Sequence, residues 1–268
     1  MSDHADHKPQ RGIQSLDNTG QLLDALADAG RPLSLGELAR AADMAPAKAF
    51  PHLVSLQKIG LLCRNADGDF EAGVLALELG LVALQRLSPT REAEPEIIAL
   101  AQATGLSVAM AVFGPLGPTV IRLEESSRPQ HVSLRVGTVL SMVHTAIGRT
   151  FAAHLPDDVR DDALKLDAIR MASASVPARA DLVSRWQTIR KSGIDHAISR
   201  PVPGIDTLAA PVFDHTGALA LVIAVMGSSG SFDSALDSDV AEVVMQAAAR
   251  LSWRFGAYSS STTPRLVK

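Results

Sequence analysis

Residues 34–73, SLGELARAADMAPAKAFPHLVSLQKIGLLCRNADGDFEAG, constrain this chain more than any other stretch, because they spell two short helices about a sharp turn and then a small hairpin. Ser34 stands three residues before Glu37, the spacing of a capping box in which the two side chains satisfy each other's orphan backbone N–H. Leu35, Leu38 and Ala39 then fall on one face. Asp43-Met44-Ala45 makes the turn. Pro46, whose missing N–H costs nothing in a first helical turn, opens a second helix running to Ile59 and ended by Gly60. In that helix Ala49, Leu53, Leu56 and Ile59 recur at helical spacing and are expected inside, which leaves Ala47, Lys48, Phe50, Pro51, His52 and Ser55 on or near the outer side.

Residues 61–64 and 69–72 read as short strands joined through Asn65-Ala66-Asp67-Gly68. Helix, turn, helix and hairpin in this order make a winged helix-turn-helix, whose second helix enters a DNA major groove while the hairpin lies against phosphates. The competing use of the same elements is packing or dimerisation. On the DNA reading the candidate contacts are Ser34, Ala47, Lys48, Phe50, His52 and Ser55, with Lys48 chosen for the groove and Arg64, on the wing, for a phosphate.

The 268 residues leave room for two domains, and 47% hydrophobic with only 4% aromatic residues points to globular cores of Ala, Leu and Val. No apolar run approaches about 18 residues without a charge, and the opening MSDHADHKPQ is polar where a secretory leader is apolar. The expectation is a cytoplasmic protein with no membrane contact. The single Cys63 allows no intrachain disulfide and is expected as a small buried hydrophobe of the wing.

Charge pulls against the DNA reading. Residues 1–80 hold seven Lys/Arg (Lys8, Arg11, Arg31, Arg40, Lys48, Lys58, Arg64) against eleven Asp/Glu, a balance of −4, while residues 81–268 are neutral at 18 against 18. Counterion release normally supplies much of a DNA-binding domain's affinity. Attraction here has to be local, through Arg40, Lys48, Lys58 and Arg64, with Asp17, Asp24 and Asp28 on the opposite face of the first helix.

Several segments then follow one family's pattern in type and order. They are Ile13-Gln14-Ser15-Leu16-Asp17, Gln21-Leu22-Leu23, Leu33-Ser34-Leu35-Gly36-Glu37-Leu38-Ala39 and Met44-Ala45-Pro46-Ala47-Lys48-Ala49 with Leu53-Val54-Ser55-Leu56. Further on come Gly117-Pro118-Thr119-Val120, Glu124-Glu125-Ser126, Leu134-Arg135-Val136-Gly137, Thr145-Ala146-Ile147-Gly148-Arg149 and Leu208-Ala209-Ala210-Pro211-Val212-Phe213-Asp214. Over nearly its whole length the chain resembles the IclR type of bacterial transcription regulator. The resemblance implies an α+β protein with a winged helix-turn-helix at 1–73, a linker helix at 74–88 and a GAF-like α/β effector-binding domain at 89–268. It further implies a double-stranded DNA operator, a small organic acid effector, a dimer or tetramer, and no cofactor. The linker helix is the element expected to move.

One departure concerns DNA reading directly: the family's usual His-Arg-Tyr is Phe50-Pro51-His52 here, so the recognition helix lacks an arginine. A proline inside a helix removes an i to i−4 bond and costs about 3 kcal/mol. Pro51 therefore predicts a later helix start or a kink, with either a tolerated break or weakened operator recognition as the result.

Read from its residues alone, the second region is also mixed α and β. β-rich runs at 106–113, 119–124 and 131–136 are parted by Pro/Gly turns, and 208–213 with 218–226 form a hairpin about Asp214-His215-Thr216-Gly217. Helical patterns fill 90–103, 145–154, 156–165, 178–191 and 236–255. The resemblance places an effector on the sheet beneath the helix that starts near Thr145, whose free N–H groups suit a carboxylate. Carried over residue by residue, the lining is Ala146, Ile147, Ile205, Thr207, Ala224 and Met226, closed on one side by Leu140, with His144 as a helix cap or carboxylate partner. Ala224 and Met226 make this pocket apolar, suited to an aromatic or branched acid.

Other classes find little support. His131, His144, His196 and His215 lie among Ser and Asp, but Gly227-Ser228-Ser229-Gly230-Ser231 lacks the spacing of a nucleophile elbow. His4 and His7 sit in a polar tail, Asp195-His196 has no partner at metal-ligand spacing, and Gly114-Pro115-Leu116-Gly117-Pro118 reads as a hairpin turn rather than a phosphate loop. The stronger rival is a ligand sensor that has lost DNA affinity and works through protein partners, motivated by the acidic first domain and Phe50-Pro51-His52.

Overall fold

The computed structural model describes residues 13–86, 88–126, 134–171 and 177–257, the side chains of 84–86 excepted. They divide into two compact units between Leu87 and Ser88.

The first unit opens with α1 (Gln14–Ala29), which buries Leu22, Ala25 and Leu26. α2 (Leu35–Ala41) starts on a complete capping box: the Glu37 amide donates to Ser34 Oγ and the Ser34 amide to Glu37 Oε2 at 3.0 Å. Those two Ser34 contacts, and Arg31 beside them, hold the Glu37 carboxyl at about 2. Asp43, at φ +50, turns the chain into α3 (Pro46–Lys58). β1 (Leu62–Arg64) and β2 (Phe70–Ala72) pair antiparallel with Arg64 opposite Phe70, and Leu33 bridges to Phe70 through both backbone groups. One core ties these pieces together, since Leu22, Leu38, Leu53 and Phe70 are all fully buried. Truncating any of them to alanine costs about 2–5 kcal/mol. α4 (Val74–Arg86) follows directly. Its entry depends on Gly73, where a Cβ would fall 2.3 Å from the carbonyl oxygen of Gly60.

Three expectations are corrected in this unit. Ile59 is not inside: α3 ends at Lys58, and the turn at Gly60 leaves Ile59 56% exposed. Pro51 neither delays nor ends α3, which runs unbroken through it. Pro51 and Ala47 both lie on the exposed side, so the carbonyl that loses its donor is solvated, and Ser55 Oγ donates to the Pro51 carbonyl at 2.9 Å. Cys63 is half-buried, its thiol directed at Glu71 Oε1 and the Ala72 carbonyl, and its pKa is raised by desolvation and then by Glu71.

The second unit comprises α5 (Pro89–Thr104), β3 (Ser107–Gly114), β4 (Gly117–Glu124), α6 (Ala146–His154), α7 (Asp157–Arg170) and α8 (Arg179–Ser192). It continues with β5 (Asp195–Ala197), β6 (Ile205–Phe213), β7 (Leu219–Ser228) and α9 (Asp239–Arg254). The sheet is antiparallel throughout, in the order β4-β3-β7-β6-β5. α5 and α9 cover one face and α6 the other, so the central strands are buried on both sides and read as near-continuous apolar runs. The strands are alanine-rich where α6 packs: Ala109, Ala111, Ala209 and Ala224 share a core with Ile147 and Phe151.

Of the 131–136 strand expected from sequence, 131–133 lie outside the described residues, and 134–136 are irregular. The Gly114–Gly117 hairpin turn forms as expected. β5, three residues long, has no counterpart in the sequence reading.

Candidate nucleic-acid interface and ligand cavity

On α3 the residues opposite the core separate into two groups. Ala47, Phe50 and Pro51 are exposed, and Phe50 keeps 46% of its surface in solvent. Lys48 and His52 turn toward α1 instead: Lys48 Nζ donates to Asn18 Oδ1 at 3.3 Å, and His52 Nδ1 lies 2.8 Å from Thr19 Oγ1. On the wing, Arg64 donates to the Gly68 carbonyl at 2.9 Å and stacks over Phe70, 4.3 Å from the ring centroid. Ser34 is engaged by Glu37. Of the residues chosen from sequence as DNA contacts, Lys48, His52, Ser55, Arg64 and Ser34 thus all hold internal partners, while Ala47 and Phe50 stand free. Arg40 and Lys58, both exposed, have no hydrogen bond or ion pair among the described residues.

In the second unit α6 begins at Ala146 with Thr145 as its cap, Thr145 Oγ1 accepting from the Gly148 amide at 2.9 Å. Helix geometry gives the amides of Ala146 and Ile147 no intrahelical acceptor. Gly148 is obligatory here, because a Cβ would fall 1.9 Å from the Ser141 carbonyl oxygen and 2.9 Å from Met142 Cα. The chain leading into α6 is fixed from α7: Asp167 Oδ2 accepts from Ser141 Oγ and from the Met142 amide, each at 2.8 Å, and Arg170 donates to the Leu140 carbonyl. A second anchor is Asp195 on β5, its side chain 1% exposed, which accepts from Arg149 Nε at 2.8 Å and from Arg185. Both arginines also donate to the His196 carbonyl. Burial pulls Arg149 below the usual guanidinium range, against the opposing effect of Asp195.

These anchors frame a cavity of about 100 Å³. Leu140, Ala146, Ile147, Ile205, Thr207 and Met226 line it together, as the sequence reading expected them to be grouped. Leu134, Thr145, Ala197, Pro201, Val202 and Arg200 complete the wall. Two residues of the expected lining do not belong to it. Ala224 is fully buried in the sheet, paired with Ala109 and Ala209 and closed over by the helix. His144 is neither cap nor part of this wall. It lines an adjoining open cleft of about 700 Å³ with Arg149, Arg185 and His196, which shares Ala197, Arg200 and Pro201 with the cavity, and Thr145 takes the capping position. Sequence reasoning missed Arg200, whose guanidinium has no hydrogen bond or ion pair among the described residues; its one signal was an arginine between serine and proline ahead of a strand.

Among the described residues no group of three or more His, Cys, Asp or Glu is placed to hold a metal. The His196 ring bonds a backbone carbonyl, that of Ser234, rather than a nucleophile. Among the same residues, no helix is long and apolar enough to cross a membrane.

A winged helix-turn-helix unit followed by an α/β unit built around a small cavity defines a class, the two-domain transcription regulators. The chain matches the sequence profiles described as the IclR helix-turn-helix domain, over residues 15–66, and the bacterial transcriptional regulator IclR C-terminal domain, over residues 82–253. It belongs to the IclR family of DNA-binding transcriptional regulators. It is 28% identical over 250 residues to the HTH-type transcriptional regulator BhcR of Paracoccus denitrificans, covering 90% of this chain and 87% of that one. It is 26% identical over 205 residues to the glycerol operon regulatory protein of Streptomyces coelicolor, covering 76% and 80%. Among solved structures, Pseudomonas aeruginosa HmgR superimposes with a TM-score of 0.80 at 28% identity, covering 91% of this chain and 98% of that one.

Proposed function

We propose that this regulator takes a small organic acid in the cavity beneath the N-terminus of α6, and that the ligand sets how tightly residues 1–73, with the linker helix at 74–88, hold a double-stranded operator. The observation that carries the reading is a mostly apolar cavity at which two features suited to an anion meet, the amides of Ala146 and Ile147 at the helix start and the guanidinium of Arg200, which has no partner among the described residues, with Thr207 as a further hydroxyl in the wall. Size narrows the ligand. A dry cavity of about 150 Å³ holds benzene, so about 100 Å³ takes a short branched acid entirely and an aromatic one with its ring edge in the mouth. A dimer or tetramer brings two recognition helices one DNA turn apart, so that modest half-site affinities combine. The ligand regulates only through different affinities for the DNA-competent and DNA-incompetent arrangements.

The test is calorimetry of the full chain with acetate, 3-methylbutanoate and phenylacetate, repeated with Arg200→Ala, followed by operator titrations with and without each binder. The expected result is binding of the branched or aromatic acid, weakened about tenfold or more in Arg200→Ala, and a change in operator affinity on binding. Binding of acetate alone sinks the branched or aromatic assignment, and binding of none of the three sinks the effector reading. A second reading, a sensor acting through protein partners, draws on the engagement of Lys48 and His52 with α1; failure to prefer any duplex sequence would favour it.

A further inference from the structure

The outward stripe of α3 is apolar as far as Val54, with Lys58 following at its C-terminal end. Ala47, Phe50, Pro51 and Val54 fall at i, i+3, i+4 and i+7, the spacing of one helix face, opposite the buried stripe of Ala49, Leu53 and Leu56. Up to Ser55 the polar residues of the helix occupy its flank and are engaged internally: Lys48 on Asn18, His52 on Thr19, and Ser55 on the Pro51 carbonyl. Among the residues of this face up to Val54, in the N-terminal part of the helix that reaches base edges, no arginine, lysine, asparagine or glutamine is present to form the paired hydrogen bonds that read guanine or adenine; Gln57 and Lys58 stand beyond it at the C-terminal end. A phenylalanine nearly half exposed at its centre is therefore the principal feature presented outward.

In the major groove only one base offers an apolar group, thymine with its C5-methyl, and phenylalanine and alanine are among the side chains that contact it. We propose that Phe50, flanked by Ala47 and Pro51, reads thymine methyl groups, so that each operator half-site is specified by thymines rather than by guanines. This rests on α3 being the helix that enters the groove, as its place in the helix-turn-helix requires. Pro51 fits the same role. A residue with no N–H and a compact ring adds apolar surface beside Phe50 without placing a donor against the methyl.

The test starts from in-vitro selection of duplexes bound by the full-length protein from a random-sequence library. Anisotropy titrations of a selected duplex follow, with half-site thymines replaced one at a time by deoxyuridine, which removes the methyl and nothing else. Thymine-rich half-sites are expected, with affinity falling about fourfold at each contacted methyl, the weight of one buried methyl group. Phe50→Ala should bind thymine and deoxyuridine duplexes equally, and Phe50→Leu should keep part of the discrimination; the exposure of Phe50 leaves folding undisturbed in both. Selected sites whose affinity is indifferent to deoxyuridine overturn the proposal and leave DNA binding intact, as does methyl sensitivity that survives in Phe50→Ala. A library from which nothing is enriched overturns this proposal together with the groove-entry premise.

Discussion

Replacing Asp195 by asparagine keeps the volume of the side chain and removes its charge, which isolates the electrostatic part of the anchor beneath α6. Asp195 is 1% exposed, Arg149 14% and Arg185 31%. In Asp195→Asn, Arg185 turns to water at little cost, whereas Arg149 is left charged, nearly buried and facing an amide. Removing one member of a buried pair costs about 3–5 kcal/mol, chiefly because the other charge stays unpaired. The partial exposure of Arg185 places this case at the lower end, about 3 kcal/mol, or roughly 150-fold in the folded-to-unfolded ratio. Against a total stability of about 5–15 kcal/mol this is a large fraction. Both tryptophans, Trp186 and Trp253, lie in the second unit, so urea unfolding followed by tryptophan fluorescence reports on that unit by itself. With a slope of about 2 kcal/mol per molar urea, the midpoint should fall by about 1.5 M at constant slope. A fall of less than about 0.5 M would show that Arg149 is adequately solvated without Asp195, and the argument that this pair positions the N-terminus of α6 would fail.

Three further outcomes are expected. Gly148→Ala drives a Cβ into the backbone of Ser141 and Met142; overpacking of about 1–3 kcal/mol or more outweighs the gain of up to about 1 kcal/mol in helix propensity, and an unchanged or raised Tm would contradict this. His154, held at about 4 by burial and by Arg190, stays neutral in the fold while the unfolded chain takes up its proton near 6.5. Stability should therefore fall as pH drops from about 6.5 through about 4, and urea midpoints of His154→Leu at pH 7, 5 and 4 should show less of that loss than the parent. Arg40→Ala, which removes an exposed cation with no partner among the described residues, should weaken operator binding and lower the salt slope by about 1 per copy, whereas Lys48→Ala should change the slope little, since Asn18 holds that ammonium; a slope lowered as much by Lys48→Ala would show that the bond to Asn18 gives way on DNA.

What could be read from the sequence was what is decided within a few residues. The capping box of Ser34 and Glu37, proline at the start of α3 and the turn between Gly114 and Gly117 are local devices, and all form. The family resemblance, carried over residue by residue, grouped six residues that line one cavity, where a helix start faces the ends of two strands. Helical periodicity went wrong where it was carried beyond its element, at Ile59 one residue past α3, and the reading of His144 as a cap missed by one residue, since Thr145 takes that place. Ala224 shows a different limit. The pleat puts it on the same side as Met226, but its closure depends on Ile147 and Phe151 of α6 packing onto the alanine floor from far away in sequence. β5 and its Asp195 were illegible for the same reason: a three-residue strand carries no period, and Asp195 finds Arg149 at a separation of 46 residues.

The acidic balance of the first 80 residues acquires a physical meaning once the partners of its cations are known. Arg31 is held by Glu37, Arg64 is folded over its own wing, and Lys48 is bonded to Asn18, which leaves Arg40 and Lys58 as the described cations of this unit with no such partner. Two free cations per copy, on an operator bound by two copies, neutralise about four phosphates and give a logarithmic salt slope near −4, shallower than that of proteins making 6–10 phosphate contacts. A domain with so little phosphate attraction has to draw more of its specific affinity from the groove, and the groove-facing stripe of α3 offers apolar contact. Shallow salt dependence and methyl-sensitive recognition are then two consequences of one arrangement, in which Arg31, Lys48 and Arg64, three of the five cations whose side chains are described, are occupied within the domain. A slope near −8, with all of Arg40, Lys48, Lys58 and Arg64 released to phosphates, would show that these internal bonds give way on binding, and would remove the reason for expecting the stripe to dominate.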